Sequence, residues 1–505
     1  MLRQTALLVL VAALPAAAAE VRFDGSYRLR FNADSNLVLD ETGFASAQKQ
    51  WFEHRLRLSP KVVEVGPEGG IEFQSSFDIL SGEFAGDVAP DFRGLGVTER
   101  SERNGFKAAG FDFRYLFADI RYPFGVIKVG QMPSHWGMGM VANSGEGEGT
   151  NDFGDARYGD IVERFLFATR PLMNALGPRS DFGREFSVAV AGDLVYRDRY
   201  AELLVNYGSG AQWGDIAWQI VGMANWSNGE ASRVGLYVVR RIQSYAASGG
   251  DLHTWTFDSY ARHTFAFERM VLTFEGEGAL IYGGTSHSPT AAETGTARVW
   301  QQGAALRAGL TRGRFDFELE GGYASGDGNP FDDQQNTFTM NRDYKVGLVL
   351  FDQLRMFQSQ NTARRLSDPS LAGRPPAGLD LLPTEGAVSN ALYFKPTFRI
   401  RPRLFGGTLR LVGSMLWARA PQPVVDSYQA LRSSAALNAF GYPAGQDYGI
   451  EVDAALSFQR KLVDSLGLDL GVQGGYLFPG SAFTRADGTR MPGAWASNLR
   501  ATLVF

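Results

Sequence analysis

Apolar and polar residues alternate, position by position, along most of this chain. From 21 to 32, Val21, Phe23, Gly25, Tyr27, Leu29 and Phe31 fall on one side, and Arg22, Asp24, Ser26, Arg28, Arg30 and Asn32 on the other. Successive side chains of a strand point to opposite faces, so this is a strand with one apolar and one wet face. The design returns in 71–79, 314–323, 392–400 and 448–458, where Phe73, Phe317, Phe394 and Val452 oppose Gln74, Glu318, Lys395 and Asp453. The chain also ends on it. In 493–505, Trp495, Ser497, Leu499, Ala501, Leu503 and Phe505 share one face, and Asn498, Arg500 and Thr502 lie on the other. Around 112–122, 161–170 and 213–224 the alternation blurs, and no faces are assigned.

The links between these segments come in two sizes. Short ones lie near 66–69, 123–125, 312–313, 402–407 and 461–465, and long polar ones near 33–50, 81–110, 133–159, 284–297, 421–445 and 479–492. Alternating short and long links are the pattern of a membrane barrel, with tight periplasmic turns at one mouth and long extracellular loops at the other. Both chain ends then share a side, which requires an even strand number. Treating 200–208 and 327–385 as loop gives eighteen strands, with sixteen to twenty allowed. That count places Lys345–Phe351, apolar enough for a strand, inside a loop. The expected fold is all-β: one transmembrane antiparallel barrel over 20–505.

Composition agrees with this picture. Among 505 residues there are 60 Gly and 12% aromatics, and beyond the first fifteen positions no run of eighteen apolar residues exists that a membrane helix would need. In a barrel the lipid-facing residues are diluted by the alternating lumen residues. The net charge of −5 is spread without a basic tract, which argues against a nucleic-acid partner. Cysteine is absent, so disulfides and thiolate metal sites are excluded. Residues 1–19 read as a secretory signal: Arg3, an apolar stretch from Thr5 to Leu14, Pro15, then the small residues Ala17 and Ala19 before Glu20.

Two sets of residues carry a family likeness. Lys128-Val-Gly-Gln-Met-Pro-Ser-His-Trp-Gly-Met-Gly-Met140 places a W-G-x-G element after a strand and resembles the alginate-export type of porin. Asp155–Arg164, Phe167–Pro171, Asp193–Tyr200 and Gly235–Gln243 resemble a family of outer-membrane proteins from myxobacteria and their relatives. A chain that closes on an aromatic strand is likewise similar to outer-membrane barrels, whose assembly machinery reads such a terminus. The resemblance implies a bacterial outer-membrane location. Its implied partners are lipid, lipopolysaccharide and, through the strand ending in Phe505, the barrel-assembly machinery.

With the apolar faces turned to lipid, the lumen receives two sets of charges. Arg28, Arg30, Arg55, Arg57, Lys395, Arg399, Arg401, Arg410 and Arg500 come from the first two strands and the last third of the chain. Asp258, Glu275, Glu277, Asp316, Glu318 and Glu320 come from the middle strands and are expected roughly opposite. Cations on one wall and anions on the other would set a transverse field that orients and selects solutes. Glu451, Asp453 and Asp469 fall within the basic part and weaken it. His135, Trp136, Glu146, Glu148, Asp152 and Asp155 are candidates for an inward-folded constriction loop. The acidic spacing over 146–155 is not that of an EF-hand, so neither a metal nor any cofactor is expected. His54, His253, His263 and His287 show no Ser or paired Asp constellation, and no enzyme is expected. Trp51, Trp136, Trp213, Trp226, Trp255, Trp300, Trp417 and Trp495 read as the girdle at the membrane surfaces.

The function these expectations converge on is porin-like passage of small hydrophilic solutes, anionic ones among them. The alternatives are a barrel moving an anionic polysaccharide, whose carboxylates would pair with the Arg and Lys, and a structural or adhesive barrel blocked by loops 81–110, 133–159 and 327–385.

Overall fold

The computed structural model describes residues 19–505 apart from 48, 67–68, 88–109, 147–150, 157, 178, 207–210, 230, 247, 291–294 and 374–376. Residues 1–18 of the expected signal segment 1–19, and Glu148, therefore lie outside the described residues. Eighteen antiparallel strands close a barrel among those described. They are β1 (Glu20–Asp34), β2 (Gln50–Gly66), β3 (Gly69–Gly86), β4 (Gly110–Tyr122), β5 (Gly125–Ser134), β6 (Asp160–Thr169), β7 (Phe186–Arg197), β8 (Ile216–Ser227) and β9 (Ser232–Ser244). The second half comprises β10 (Asp251–Phe267), β11 (Met270–Thr285), β12 (Ala297–Arg312), β13 (Phe315–Ala324), β14 (Ala391–Ile400), β15 (Gly407–Arg419), β16 (Asp447–Val463), β17 (Leu466–Pro479) and β18 (Ala494–Val504).

Each strand pairs with its neighbours in sequence, and β1 pairs with β18 in the register Tyr27↔Leu503 and Arg30↔Arg500. Closure leaves no unpaired edge. Phe505 finishes the seam by exchanging backbone hydrogen bonds with Gly25 at 2.7 and 2.9 Å.

The alternation separates lipid from lumen as expected. Phe315, Phe317, Val452 and Leu503 face outward, between 38% and 46% exposed, while Arg30, Asp78, Glu320 and Glu451 on the opposite faces are buried. The blurred segments have a physical cause. Their inner faces are apolar too: Tyr115, Phe117, Val162 and Ala217 pack together inside, while Phe165, Trp218 and Ile220 face out. In β4 a bulge adds to the blur, because Ser76 pairs with Tyr115 but Phe77 with Phe113, which leaves Arg114 as an extra residue.

Several expectations need correction. The connection predicted at 81–110 starts only after Gly86, since β3 continues through Leu80–Gly86. The link between β6 and β7, on the side of the chain termini, is not a tight turn but carries two short helices, Pro171–Leu176 and Asp181–Glu185. Trp51 and Trp136 are not girdle residues; both lie inside at 5% exposure, whereas Trp213, Trp255, Trp300, Trp417 and Trp495 are exposed.

At the mouth away from the termini, connections 135–159 and 325–390 fold back into the barrel. Lys345–Phe351 is indeed no strand. It is buried in the lumen and leads into a π-turn (Leu350–Arg355) and the helix Met356–Ser367. Met140, Phe153, Phe338, Met340, Leu348, Val349 and Leu354 form an apolar core inside the barrel with Leu37 and Leu39 from the loop after β1 and Phe440 from the loop after β15. The wall makes room with small residues, Ala279, Ala305, Ala324, Ala391 and Ala418. Each large side chain buried this way contributes about 1.5–3 kcal/mol. The lumen of an eighteen-strand barrel, wide enough for a water channel, is thus narrowed by its own loops.

Candidate functional site

The inward-turned charges of the wall meet the carboxylates of connection 135–159. In the β1–β2 hairpin, Arg28 lies opposite Arg55, and Ser26 opposite Arg57. Asp155 closes this group from the loop, 2.6 Å from Arg28 Nη1 and 2.5 Å from Arg30 Nη2; Arg30 also lies 3.5 Å from Glu53. Arg57 holds Asp78 by two bonds of 2.7 and 2.9 Å, a bidentate pairing that fixes geometry as well as charge. Glu146 lies 2.9 Å from Nη2 of Arg114, a cation the sequence reading missed because the bulge hides its face.

A second group forms across β12–β15. Asp152 is 2.8 Å from Arg399 Nε and also contacts Arg410. Arg399 bonds Glu318 at 2.8 Å, Arg401 bonds Asp316 at 2.6 Å, and Arg307 bonds Glu320 at 2.9 Å. Tyr344 and Tyr393 donate to the same Glu320 oxygen at 2.8 and 2.7 Å. Lys395 sits 5.7 Å from the ring of Phe153, between the two acidic anchors of the loop. Arg500 stands apart with Asp469 at 3.5 Å.

The two-walled arrangement is therefore corrected. Asp316, Glu318 and Glu320 do not face Lys395, Arg399 and Arg401 across the lumen; they lie beside them, because β13 pairs directly with β14 in the register Asp316↔Arg399 and Glu320↔Lys395. The intervening residues 325–390 fold inward and leave those strands adjacent. Asp258, Glu275 and Glu277 lie further round on β10 and β11. There Glu275 accepts the hydroxyl of Tyr260 at 2.6 Å and Arg307 approaches it to 3.6 Å. Of the remaining candidates, Trp136 stacks on Tyr237 with centroids 5.2 Å apart, and His135 is exposed, with Ser144 N–H donating to its Nδ1 at 3.4 Å. Glu146, Asp152 and Asp155 point to three different arginine groups and do not converge on a common centre.

Two adjoining cavities open in the lumen among the described residues, towards the loop mouth. The outer one is lined by hydroxyl and amide side chains such as Thr290, Gln334, Gln358 and Ser427, the inner one by Tyr237, Tyr245, Val239 and Ile281. They meet at Arg199, Tyr200, Gln301, Gln335, Thr339 and Leu381, which line both. Arg199 lies over the ring of Tyr200 and donates to the carbonyls of Leu381 and Pro383 at 3.0 and 3.2 Å. His287 has partners that its sequence context did not reveal. Ser248 lies 2.5 Å from its Nδ1, Asp380 2.7 Å from its Nε2, and Tyr245 stacks on it at 3.7 Å, so this one ring ties three loops together.

No known family and no curated protein matches this chain in sequence. Solved structures do match in fold. OccK9 (OpdG) of Pseudomonas aeruginosa superposes with a TM-score of 0.53 at 13% identity, covering 96% of this chain and 97% of that one. OccAB1 of Acinetobacter baumannii gives 0.51 at 8%, covering 96% of each chain. The outer membrane protein OpdK of Pseudomonas aeruginosa gives 0.50 at 10%, covering 96% and 99%. What they share with this chain is the outer-membrane type of barrel. They do not carry the likeness to alginate-export porins or to the myxobacterial family.

Proposed function

We propose that this chain is an outer-membrane channel for passive, porin-like passage of small hydrophilic solutes, anionic ones among them. The strands cross the membrane, with the chain termini and the helical link 170–185 at the periplasmic mouth and the long loops outside. The observation that carries this reading is the division of the barrel. Apolar side chains cover its exterior, while Arg28, Arg30, Arg57, Arg399 and their carboxylate partners line a lumen that retains two adjoining cavities. Selectivity belongs to the places where the loops reach the wall, at Asp155, Asp152 and Glu146.

A second reading, a barrel closed by its loops and serving a structural or adhesive role, draws on the apolar core those loops bury in the lumen. Planar-bilayer recording separates the two. Stepwise openings whose ion selectivity shifts when Arg28 or Arg399 is replaced support a channel. Silence from the parent and from loop deletions alike refutes it. The polysaccharide alternative loses its motif, because the W-G-x-G element is engaged with Glu277 rather than exposed along a path.

A further inference from the structure

Two lumen carboxylates hold the two inward loops in the same way. On β11, Glu277 accepts backbone N–H groups of Met138, Met140 (3.1 Å) and Val141 (3.3 Å). On β16, Glu451 accepts those of Leu348 (2.6 Å), Val349 (2.8 Å) and Leu350 (2.7 Å). Clustered N–H groups of this kind form an anion-binding concavity, and a carboxylate filling it makes charge-assisted bonds. Glycine makes each approach feasible. Gly137 has φ +57° and a Cβ there would run into the Glu277 carboxylate; at Gly347 a Cβ would lie 2.6 Å from Glu451 Oε1. Each clamp also has a second acid beside it: Asp258 next to Glu277, and Asp453 two residues along from Glu451. Each second acid is buried with its carboxyl group against the clamping one, with Trp136 beside Asp258 and the Leu348 N–H beside Asp453.

We propose that Glu277 and Glu451 are positioning residues of the passage: matched latches that hold loops 135–159 and 325–390 inside the barrel and so set its bore. This rests on the channel reading above. The two loops also bind each other, Asn341 N–H to the Met140 carbonyl at 2.7 Å and Gly159 N–H to Asp343 at 2.7 Å, so each latch supports a common plug. The crowded second acid keeps each latch from being permanent. Two carboxyl groups this close in the lumen wall repel when both are ionised, which favours any state in which water reaches them.

The chain has no cysteine, so a single introduced thiol reports on one loop. Met138→Cys is followed in purified barrels with a water-soluble, membrane-impermeant maleimide, alone and combined with Glu277→Ala, Glu277→Gln or Asp258→Asn. Losing the clamp should speed labelling about tenfold or more, since several charge-assisted bonds go together, and should enlarge the unit conductance. The Gln variant, which keeps size and one acceptor oxygen, should fall between parent and Ala. Asp258→Asn, which replaces the crowded acid by an amide donor, should slow labelling below the parent. Glu451→Ala with Leu348→Cys repeats the test at the other loop. Labelling and conductance within about twofold of the parent in the Ala variants, with the barrel still migrating as a folded band on unheated gels, would overturn the proposal. If Glu277→Ala does not fold, an Asp258→Asn protein that labels at the parent rate or faster overturns it. A parent that never conducts, yet labels in the order Ala, Gln, parent, Asn, sinks the channel reading and leaves the latch standing.

Discussion

Replacing Asp155 by Asn removes one charge at a known place and leaves the side chain's shape. Asp155 contacts Arg28 and Arg30 at 2.6 and 2.5 Å, and all three side chains are at most 8% exposed. Removing one partner from a buried pair costs about 3–5 kcal/mol, because the other charge stays behind. The loop segment carrying Asp155 therefore loosens, and two guanidinium groups face the lumen with less compensation. A unit charge acts on a passing ion 4 Å away with about 1 kcal/mol in water and about 4 kcal/mol at an effective dielectric of 20. The lower figure suits a wet, salt-screened path, and it corresponds to about a fivefold change in the permeability of one ion, with opposite signs for anion and cation. The assay is the reversal potential of bilayer-inserted protein in a potassium chloride gradient. Asp155→Asn should raise chloride over potassium by at least about fivefold and enlarge the conductance. Asp464→Asn alters net charge equally at an exposed turn residue and should change neither. An unchanged ratio and conductance in Asp155→Asn would show that the arginines of β1 do not lie on the ion path.

Three further outcomes follow from the same geometry. Leu306→Arg places a cation on the lipid face of β12, where Leu306 is 67% exposed; it should destabilise the inserted barrel by about 2–4 kcal/mol, read as the urea midpoint of unfolding in vesicles. Phe153→Ala empties a fully buried site between Asp152 and Asp155 and should cost the loop about 3–5 kcal/mol, seen as faster amide exchange over 151–156 with the strands unchanged. In the loop after β1, burial raises the Asp40 carboxyl, but bonds from Thr42 and Asn361 and the nearby Arg365 hold it below its ordinary value. Burial also opposes ionisation of Glu41, and its Arg365 bond wins. Depressed values in the folded state mean the contact with helix Met356–Ser367 contributes above the ordinary carboxylate range and is lost as pH falls below it. Amide exchange of that helix should accelerate only under strong acid, and loss of protection already at neutral pH would contradict the sign.

The barrel was legible where its two faces differ in polarity. Arg28 and Arg30 between Tyr27, Leu29 and Phe31 leave one orientation for β1, since a one-residue slip would turn guanidinium groups into lipid. Legibility failed where a loop covers the wall. Behind connection 135–159 the inner face carries Tyr115, Phe117, Leu166 and Val221, so β4, β6 and β8 are apolar on both sides and lose their period. The charges themselves were readable but their neighbours were not. Nothing in the spacing of Asp316 and Arg399 says that the residues between them fold inward and leave their strands paired. Trp136 looked like a girdle residue because it follows a strand end. Only the return of its loop into the barrel puts its ring on Tyr237.

These same returns give the lumen its character. A bare barrel of this size would turn Arg28, Arg30, Arg399 and Arg410 to water, with only Glu53 beside Arg30 and Glu318 beside Arg399 from the wall. The acidic loop supplies each with a carboxylate from a single short segment, Asp152 for the β14–β15 side and Asp155 for the β1 side. On the channel reading proposed above, an anion entering the bore would exchange with a carboxylate already in place instead of filling an empty cationic site. Exchange of like for like keeps the net binding free energy small, and a channel needs that: attraction enough to admit a solute, and too little to retain it. The apolar core formed by Phe153, Phe338 and Leu348 would hold the loops in position during such an exchange. On that reading, covering a charged lumen with hydrophobic loops and lining it for anions are two parts of one arrangement, in which the loops supply the competing charge.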